Sequence, residues 1–305
     1  MERKVIVIVG PTCSGKTQVG ISLADKLHTE IISADSRQIF KYLNIGTAKP
    51  TEDELSRIKH HFINLLEPDD EYNVSKFEID ALKVIHDLHS KGKIPVVAGG
   101  SGLYVRALVD GLFDSVDSDT EYRELLHEQR ERFGNKFLYD ELKKVDPEST
   151  FKMLPQNWKR VMRALEVFHL TGQPISKFQV DYKRQIDLEF SLYGLNWKRE
   201  ELYTKIEQRV NAMIESGLVD EVKNILSCGF PKNINALNTV GYKEIISYLG
   251  DEITLDRAIE LIKRNTRRYA KRQMTWFRKV KEINWLACND NTTPEEIVSL
   301  ILKKI

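Results

Sequence analysis

Eight residues near the amino terminus carry the most specific chemistry in the chain. Gly10-Pro11-Thr12-Cys13-Ser14-Gly15-Lys16-Thr17 fits the spacing G-x-x-x-x-G-K-S/T. Glycines let backbone N–H groups turn inward around phosphate oxygens, and the start of a following helix adds partial positive charge. Lys16 supplies a mobile cation, and the Thr17 hydroxyl can hold Mg2+. The bland alternative is an ordinary glycine-rich turn. The flanking sequence argues against it: Val5-Ile6-Val7-Ile8-Val9 reads as a strand buried on both faces, and residues 17–27 read as a helix. That is the context in which this spacing grips phosphate or pyrophosphate, and it does not by itself specify ATP.

Two further groups could do chemistry. A second apolar run, Glu30-Ile31-Ile32-Ser33-Ala34, ends in Asp35-Ser36-Arg37-Gln38. Polar residues at the carboxyl end of a strand in an open α/β sheet sit where ligands bind, so Asp35 is a candidate acid or base; its ordinary alternative is to cap the next helix. Near the carboxyl end, Lys263, Arg264, Arg267, Arg268, Lys271, Arg272, Arg278 and Lys279 follow one another without an Asp or Glu, interleaved with Tyr269, Trp276 and Phe277. A charge run is usually a solvated face, but eight unrelieved cations in a nearly neutral chain favour a phosphate or RNA surface. Arg209 falls mid-helix, where a solvated or paired arginine is the default reading.

These residues need a scaffold. Residues 44–50 read as a loop, with Thr51 and Glu54 as a capping box after it. Ser75 and Glu78 read as another box, opening an amphipathic helix to about Ser90 with Phe77, Leu82, Ile85 and Leu88 on one side. Residues 93–98 read as a third strand, running into Gly99-Gly100-Ser101-Gly102. No Asp closes that strand, so the Mg2+-holding acid of many phosphate-loop NTPases is missing, which argues against ordinary γ-phosphoryl transfer. From Phe113 the pattern turns helical, opening with Asp114, Asp117, Asp119, Glu121 and Glu124 and running to about Arg184. Within it Pro155 suits a helix start, and Arg160 and Arg163 share one face. Trp158 could stack on a base, although a tryptophan in a helix packs into a core more often. A returning strand at 190–195 precedes helices at 199–216, 218–227, 236–249 and 254–278, a strand at 282–287 and a helix opened by Thr293-Pro294. The expected fold is α/β: a P-loop NTPase-like parallel-sheet core (1–112 and 187–305) interrupted by an all-helical insertion (113–186).

Bulk composition narrows the class. The 305 residues are 41% hydrophobic and 30% charged, with net charge +1, so any polyanion site must come from local clustering. Cys13, Cys228 and Cys288 lie far apart with no CxxC, which suits a reducing cytosol rather than a disulfide framework or zinc site. The first apolar run is too short for a signal peptide and no run of 18 apolar residues occurs, so a cytoplasmic protein without membrane partners is expected.

Several segments together resemble the tRNA dimethylallyltransferase (tRNA isopentenyl transferase) family, bacterial type: the phosphate loop, A-D-S-R-Q at 34–38, N-I-G-T-A-K-P at 44–50, A-G-G-S-G-L-Y at 98–104, R-A-L-E-V at 163–167, T-V-G-Y-K-E at 239–244 and Y-A-K-R-Q-M-T-W-F-R at 269–278. They occur in the family's order across nearly the whole chain. The resemblance implies transfer of a dimethylallyl group from dimethylallyl diphosphate to the exocyclic amine of the adenine just 3′ of a tRNA anticodon, with Mg2+. It implies that the phosphate loop, Lys16 and Arg209 hold diphosphate, and that Asp35 orients the amine and takes its proton. It places the anticodon stem-loop against Ser36, Arg37, Gln38, Ser101 and Arg123, and against Gln156, Asn157, Trp158, Lys159 and Arg160. It adds Asn238, Thr239, Val240, Gly241, Tyr242 and Lys243, with Lys271, Arg272, Gln273, Trp276, Phe277 and Arg278. A monomer is expected. Cys13 stands where the family often has Ala, and Ser101 where Thr is common. The competing readings are a small-molecule or nucleotide kinase and a non-catalytic RNA-binding module.

Overall fold

The computed structural model describes residues 3–111, 119–181 and 186–305. The first stretch contains β1 (Lys4–Val9), α1 (Lys16–Lys26), β2 (Ile31–Ser33), α2 (Glu52–Arg57), β3 (His60–His61), α3 (Val74–Ser90), β4 (Val96–Gly99) and α4 (Gly102–Asp110). The second is helical: α5 (Thr120–Phe133), α6 (Asn135–Val145), α7 (Pro147–Thr150), a 3-10 turn (Pro155–Asn157), α8 (Trp158–Thr171) and α9 (Ile175–Asp181). The third contains β5 (Glu189–Trp197), α10 (Arg199–Glu215), α11 (Leu218–Ser227), α12 (Tyr242–Leu249), α13 (Leu255–Phe277), β6 (Asn284–Cys288) and α14 (Pro294–Leu302). Two units result, Met1–Val109 with Ile186–Ile305, and Asp110–Gln185.

In the first unit six strands form one parallel sheet in the order β3-β2-β4-β1-β5-β6. β1 sits inside it because its side chains are apolar on both faces. Val5, Val7 and Val9 join the cluster that includes Ile85, Leu192 and Phe277; Ile6 and Ile8 join Leu23, Leu286, Ile297 and Ile301 on the other side. The alternation of a strand thus feeds two helix layers. Parallel order also brings the carboxyl ends of β1, β2 and β4 to one edge of the sheet, so that the phosphate loop, the Asp35 turn and the second glycine-rich turn are neighbours. Gly99 pairs with Val9, and a Cβ there would overlap the Ala34 carbonyl, which is why this strand closes on glycine.

Two local expectations need correction. α3 opens one turn-fraction earlier than expected: Asn73 accepts from the Lys76 N–H at 2.9 Å, so Ser75 lies inside the helix and is not its cap. Residues 236–241 are turns, not helix; α12 starts only at Tyr242. Gly241 takes φ 101°, a left-handed-side conformation that interrupts a helix, and the Glu244 side chain accepts its N–H at 2.8 Å. The Thr51–Glu54 capping box forms at α2 as expected.

The second unit packs α5, α6, α8 and α9 around Leu126, Leu138, Leu142, Val161, Leu165 and Ile175. Two buried carboxylates organise it. Glu166, fully buried, accepts from the Asp119 N–H at 2.9 Å and pairs with Arg123 (2.7 Å) and Arg163 (2.6 Å). Asp146 receives both the backbone and the hydroxyl of Ser149 and of Ser176, tying α7 to the start of α9. The expected start of the insertion at Phe113, with Asp114 and Asp117, and its end near Lys183 and Arg184 lie outside the described residues.

Candidate active site

The turn between β1 and α1 is shaped before any ligand is considered. Gly15 takes φ 88° with open space where a Cβ would be, so glycine is needed there for its backbone sign rather than for room. Cys13 takes φ 64°, a conformation that costs a non-glycine residue about 1 kcal/mol or more and that the surrounding loop must enforce. The enforcement comes from outside. The Trp197 indole donates to the Ser14 carbonyl at 3.0 Å, and the Thr12 N–H donates to Gln273 Oε1 at 2.8 Å. Lys16 Nζ arches back to the Pro11 carbonyl at 2.6 Å. Burial pushes its ammonium down to about 8, opposed by the Asp35 carboxylate and reinforced by Arg209. Arg209 reaches the loop from α10, donating to Thr12 Oγ1 at 3.2 Å and lying 3.4 Å from Cys13 Sγ. It is therefore not the solvated helix-surface arginine that its position in the sequence suggested.

Asp35 caps no helix. Its Oδ1 accepts from the N–H groups of Arg37 (2.9 Å) and Gln38 (3.4 Å), closing the turn after β2, and Oδ2 makes no hydrogen bond among the described residues. The turn is locked to its neighbours. Ser101 Oγ accepts from the Ser36 N–H at 3.0 Å and donates to Ser36 Oγ; Arg37 donates to the Asn235 carbonyl at 2.6 Å. Gln38 donates to the Thr47 and Ala48 carbonyls, both at 3.2 Å, which fixes the loop at 44–50 as one wall.

These groups line one cavity of about 590 Å³. It brings together Thr12 to Thr17, Asp35 to Gln38, Arg209, Asn238 to Gly241, Lys243, Arg272 and Gln273, with Thr47, Lys49 and Tyr269. Lys49 is held down to about 8 by burial, offset by Glu221, and burial pushes the Tyr269 hydroxyl up.

Two side chains important to this wall, Glu221 and Lys49, were given no role by reasoning on spacing. Glu221, on α11, accepts from three consecutive N–H groups, Asn44 (3.0 Å), Ile45 (2.7 Å) and Gly46 (3.2 Å), and from the Tyr242 hydroxyl (2.6 Å). Gly46 has no substitute, since a Cβ would overlap the Tyr242 ring. Lys49 completes the pair, donating to the Phe40 carbonyl and to the side-chain oxygens of Asn44 and Asn64. Nothing local marks Glu221, because three of its partners lie about 175 residues earlier in the chain and the fourth, Tyr242, 21 residues later.

The basic helix α13 has two faces. Arg268, Lys271, Arg272, Arg278 and Lys279 form no salt bridge among the described residues, and Lys271, Arg272 and Arg278 are exposed, whereas Arg267 pairs with Glu207 at 2.7 Å. Three of the residues that the resemblance sets against tRNA are buried here. Phe277 is 1% exposed in the main core, Tyr242 is fully buried under Glu221, and Gln273 is 6% exposed. For two of them helical spacing is the reason: Gln273 and Phe277 lie with Ala270 on the buried side that seats α13, whereas Tyr242 opens α12. Trp276 packs over Gly102.

In the second unit Gln156, Asn157, Lys159 and Arg160 are exposed. Trp158 has one ring face covered by the Arg130 guanidinium at 4.0 Å and the His127 ring at its edge, and Arg123 is spent on Glu166.

The Thr17 hydroxyl lies in the cavity beside the loop, while no group of three or more His, Cys, Asp or Glu that could hold a metal occurs among the described residues. That donor set fits a hard cation such as Mg2+ only as it is usually held with phosphate, through one protein oxygen plus phosphate oxygens and water.

Residues 38–280 match the family pattern described as IPP transferase. The chain is 46% identical to the tRNA dimethylallyltransferase of Acetivibrio thermocellus over 96% of this chain and 95% of that one, and 44% identical to that of Alkaliphilus oremlandii over 99% and 97%. Among solved structures it resembles the tRNA isopentenylpyrophosphate transferase of Bacillus halodurans, with 37% identity, 99% and 96% coverage and a TM-score of 0.72. It also resembles a eukaryotic dimethylallyltransferase acting on tRNA, with 30% identity, 98% of this chain and 77% of the other, and a TM-score of 0.82.

Proposed function

The chain belongs to the IPP transferase family of tRNA dimethylallyltransferases, and from that premise we propose how its own residues prenylate tRNA. The reaction joins the allylic carbon of dimethylallyl diphosphate to the exocyclic N6 of the adenine 3′ of the anticodon, breaking the carbon–oxygen bond and releasing diphosphate. One observation carries the assignment: two cations, Lys16 and Arg209, converge on the phosphate loop in the same cavity as Asp35, a carboxylate with one oxygen free of hydrogen bonds among the described residues.

An adenine amine is a poor nucleophile because its lone pair is delocalised into the ring. Asp35 accepts one N–H, raises electron density on nitrogen and receives the proton that the new carbon–nitrogen bond displaces. The bonding pair of the carbon–oxygen bond leaves with diphosphate. Negative charge grows there as the bond breaks, so loop N–H groups, Lys16 and Arg209 hold the transition state more tightly than the ground state. The Thr17 hydroxyl, which lines the cavity, would hold a Mg2+ ion there, and such an ion would supply further charge neutralisation for the leaving group. The target base must leave its stack, at a cost of a few kcal/mol that is smallest in a single-stranded loop such as an anticodon loop. The exposed cations of α13, with Lys159 and Arg160 of the second unit, supply phosphate contacts that position the RNA. No described helix is long and apolar enough to cross a membrane, and we place the enzyme in the cytoplasm with its substrate, acting as a monomer.

A kinase would need an acid at the end of β4, where Gly99 stands. The test is incubation with isotopically labelled dimethylallyl diphosphate and unmodified tRNA, with and without ATP. Label on tRNA without ATP supports the transferase; ATP turnover without label on RNA contradicts it.

A further inference from the structure

Gln273 stands between exposed Lys271 and Arg272 on one side and exposed Thr275 on the other, yet its own side chain turns into the protein. Its Oε1 accepts the Thr12 N–H at 2.8 Å, and its Nε2 donates to the Gly100 carbonyl at 2.9 Å. One amide therefore bridges the phosphate loop and the turn after β4, matching one backbone donor and one backbone acceptor. The fit is close on both sides. A Cβ at Gly100 would collide with the amide, and Tyr269 stands one turn earlier on α13, lining the same cavity. Arg209 donates to the hydroxyl of the same Thr12, so the pose of that residue decides where both the loop N–H groups and the second cation point.

We propose that Gln273 is a positioning residue for the diphosphate site, holding the phosphate loop against the turn after β4 from within the basic helix, and that it makes no contact with RNA. The assignment rests on reading the loop as a diphosphate cradle. Its physical content is pre-organisation: without the amide, a loop N–H and a buried carbonyl lose their partners and the cradle is no longer fixed before the anion arrives.

Two variants test it. Gln273→Met keeps the volume and helix preference and removes both hydrogen bonds. Gln273→Glu keeps an acceptor toward Thr12 but sets a carboxylate against the Gly100 carbonyl. The readouts are pyrophosphate affinity by calorimetry, KM for dimethylallyl diphosphate, tRNA affinity and melting temperature. Gln273→Met should weaken pyrophosphate binding by roughly tenfold, the size expected for one or two lost hydrogen bonds, raise the KM for the diphosphate substrate and leave tRNA affinity unchanged. Gln273→Glu should approach wild-type pyrophosphate binding as the pH is lowered, relative to the wild type at each pH, because a protonated carboxyl can again donate to Gly100. It also provides a second measurement should the methionine variant not fold. Variants that bind pyrophosphate as the wild type does, or that lose tRNA affinity instead, would overturn the assignment. A wild-type protein that binds no pyrophosphate would remove the cradle reading itself, and the role of Gln273 with it.

Discussion

Lys16 feels Asp35 across the cavity, and the titration of its ammonium makes diphosphate binding pH-dependent. Burial holds Lys16 down to about 8, below its ordinary 10.5, while Asp35 pulls it up and Arg209 pushes it down. In the empty protein the buried ammonium is a liability below about 8, and stability is regained as the pH rises from there toward 10.5, since only the unfolded chain then keeps the proton. Binding has the opposite sign. The anion needs the ammonium, so pyrophosphate affinity should fall as pH rises through about 8, with proton uptake on binding in that window. Calorimetry in buffers of different ionisation enthalpy measures this, and Lys16→Met should abolish it; Lys49, also near 8 in the same cavity, is separated by the same experiment on Lys49→Met. Asp35→Ala should lower turnover by ~10² or more while leaving tRNA affinity largely intact. Single-turnover kinetics at saturating tRNA decide this, and near-wild-type rates would remove Asp35 from the mechanism. The sequence marked both residues because each is local: one belongs to a fixed octapeptide, the other closes a strand. Arg209 was legible only through the family resemblance, because its role depends on α10 arriving beside Thr12 from 197 positions away.

At the scale of elements, the wall at 44–50 and the helix α13 do different work. The wall is held by Glu221, which accepts four hydrogen bonds, three of them from consecutive backbone N–H groups. Glu221→Ala should therefore destabilise the protein by about 3 kcal/mol, and Tyr242→Phe, which removes one donor and leaves three, by about 1 kcal/mol. Denaturant melts give both numbers, and equal losses would contradict the hierarchy. For α13, the exposed Lys271 and Arg272 should contribute to RNA affinity through phosphate. Replacing both by Ala should weaken tRNA binding and lower the slope of log affinity against log salt by roughly 1 to 2; an unchanged slope would leave these cations on a solvated face only. The charge run was readable from composition, but the faces were not sorted. A helix that carries cations outside and seats Ala270, Gln273 and Phe277 inside looks uniformly basic and aromatic along the sequence, and only packing distinguishes Phe277 in the core from Lys271 in solvent.

At the scale of the molecule, the chain folds into two units, one α/β and one helical and inserted in its sequence, each with its own core. The sheet was legible because β1, β2, β4 and β5 are apolar on both faces, a pattern that only a covered parallel sheet explains. The turns at 236–241 were not, since Ala236 and Leu237 are buried like helix residues and only the left-handed Gly241 breaks the run. In the insertion, Glu166 was read as part of a family segment, and its burial beneath Arg123 and Arg163 came from tertiary packing. The account stands on the phosphate loop being the seat of a departing diphosphate that faces Asp35. A crystal structure with a non-reactive thiolo analogue of dimethylallyl diphosphate, in which sulfur replaces the bridging oxygen, tests that most directly. The account predicts the diphosphate within hydrogen-bond reach of Lys16, Arg209 and the loop N–H groups, with the allylic carbon turned toward Asp35. An analogue bound elsewhere, or seated with its prenyl chain directed away from Asp35, would contradict it.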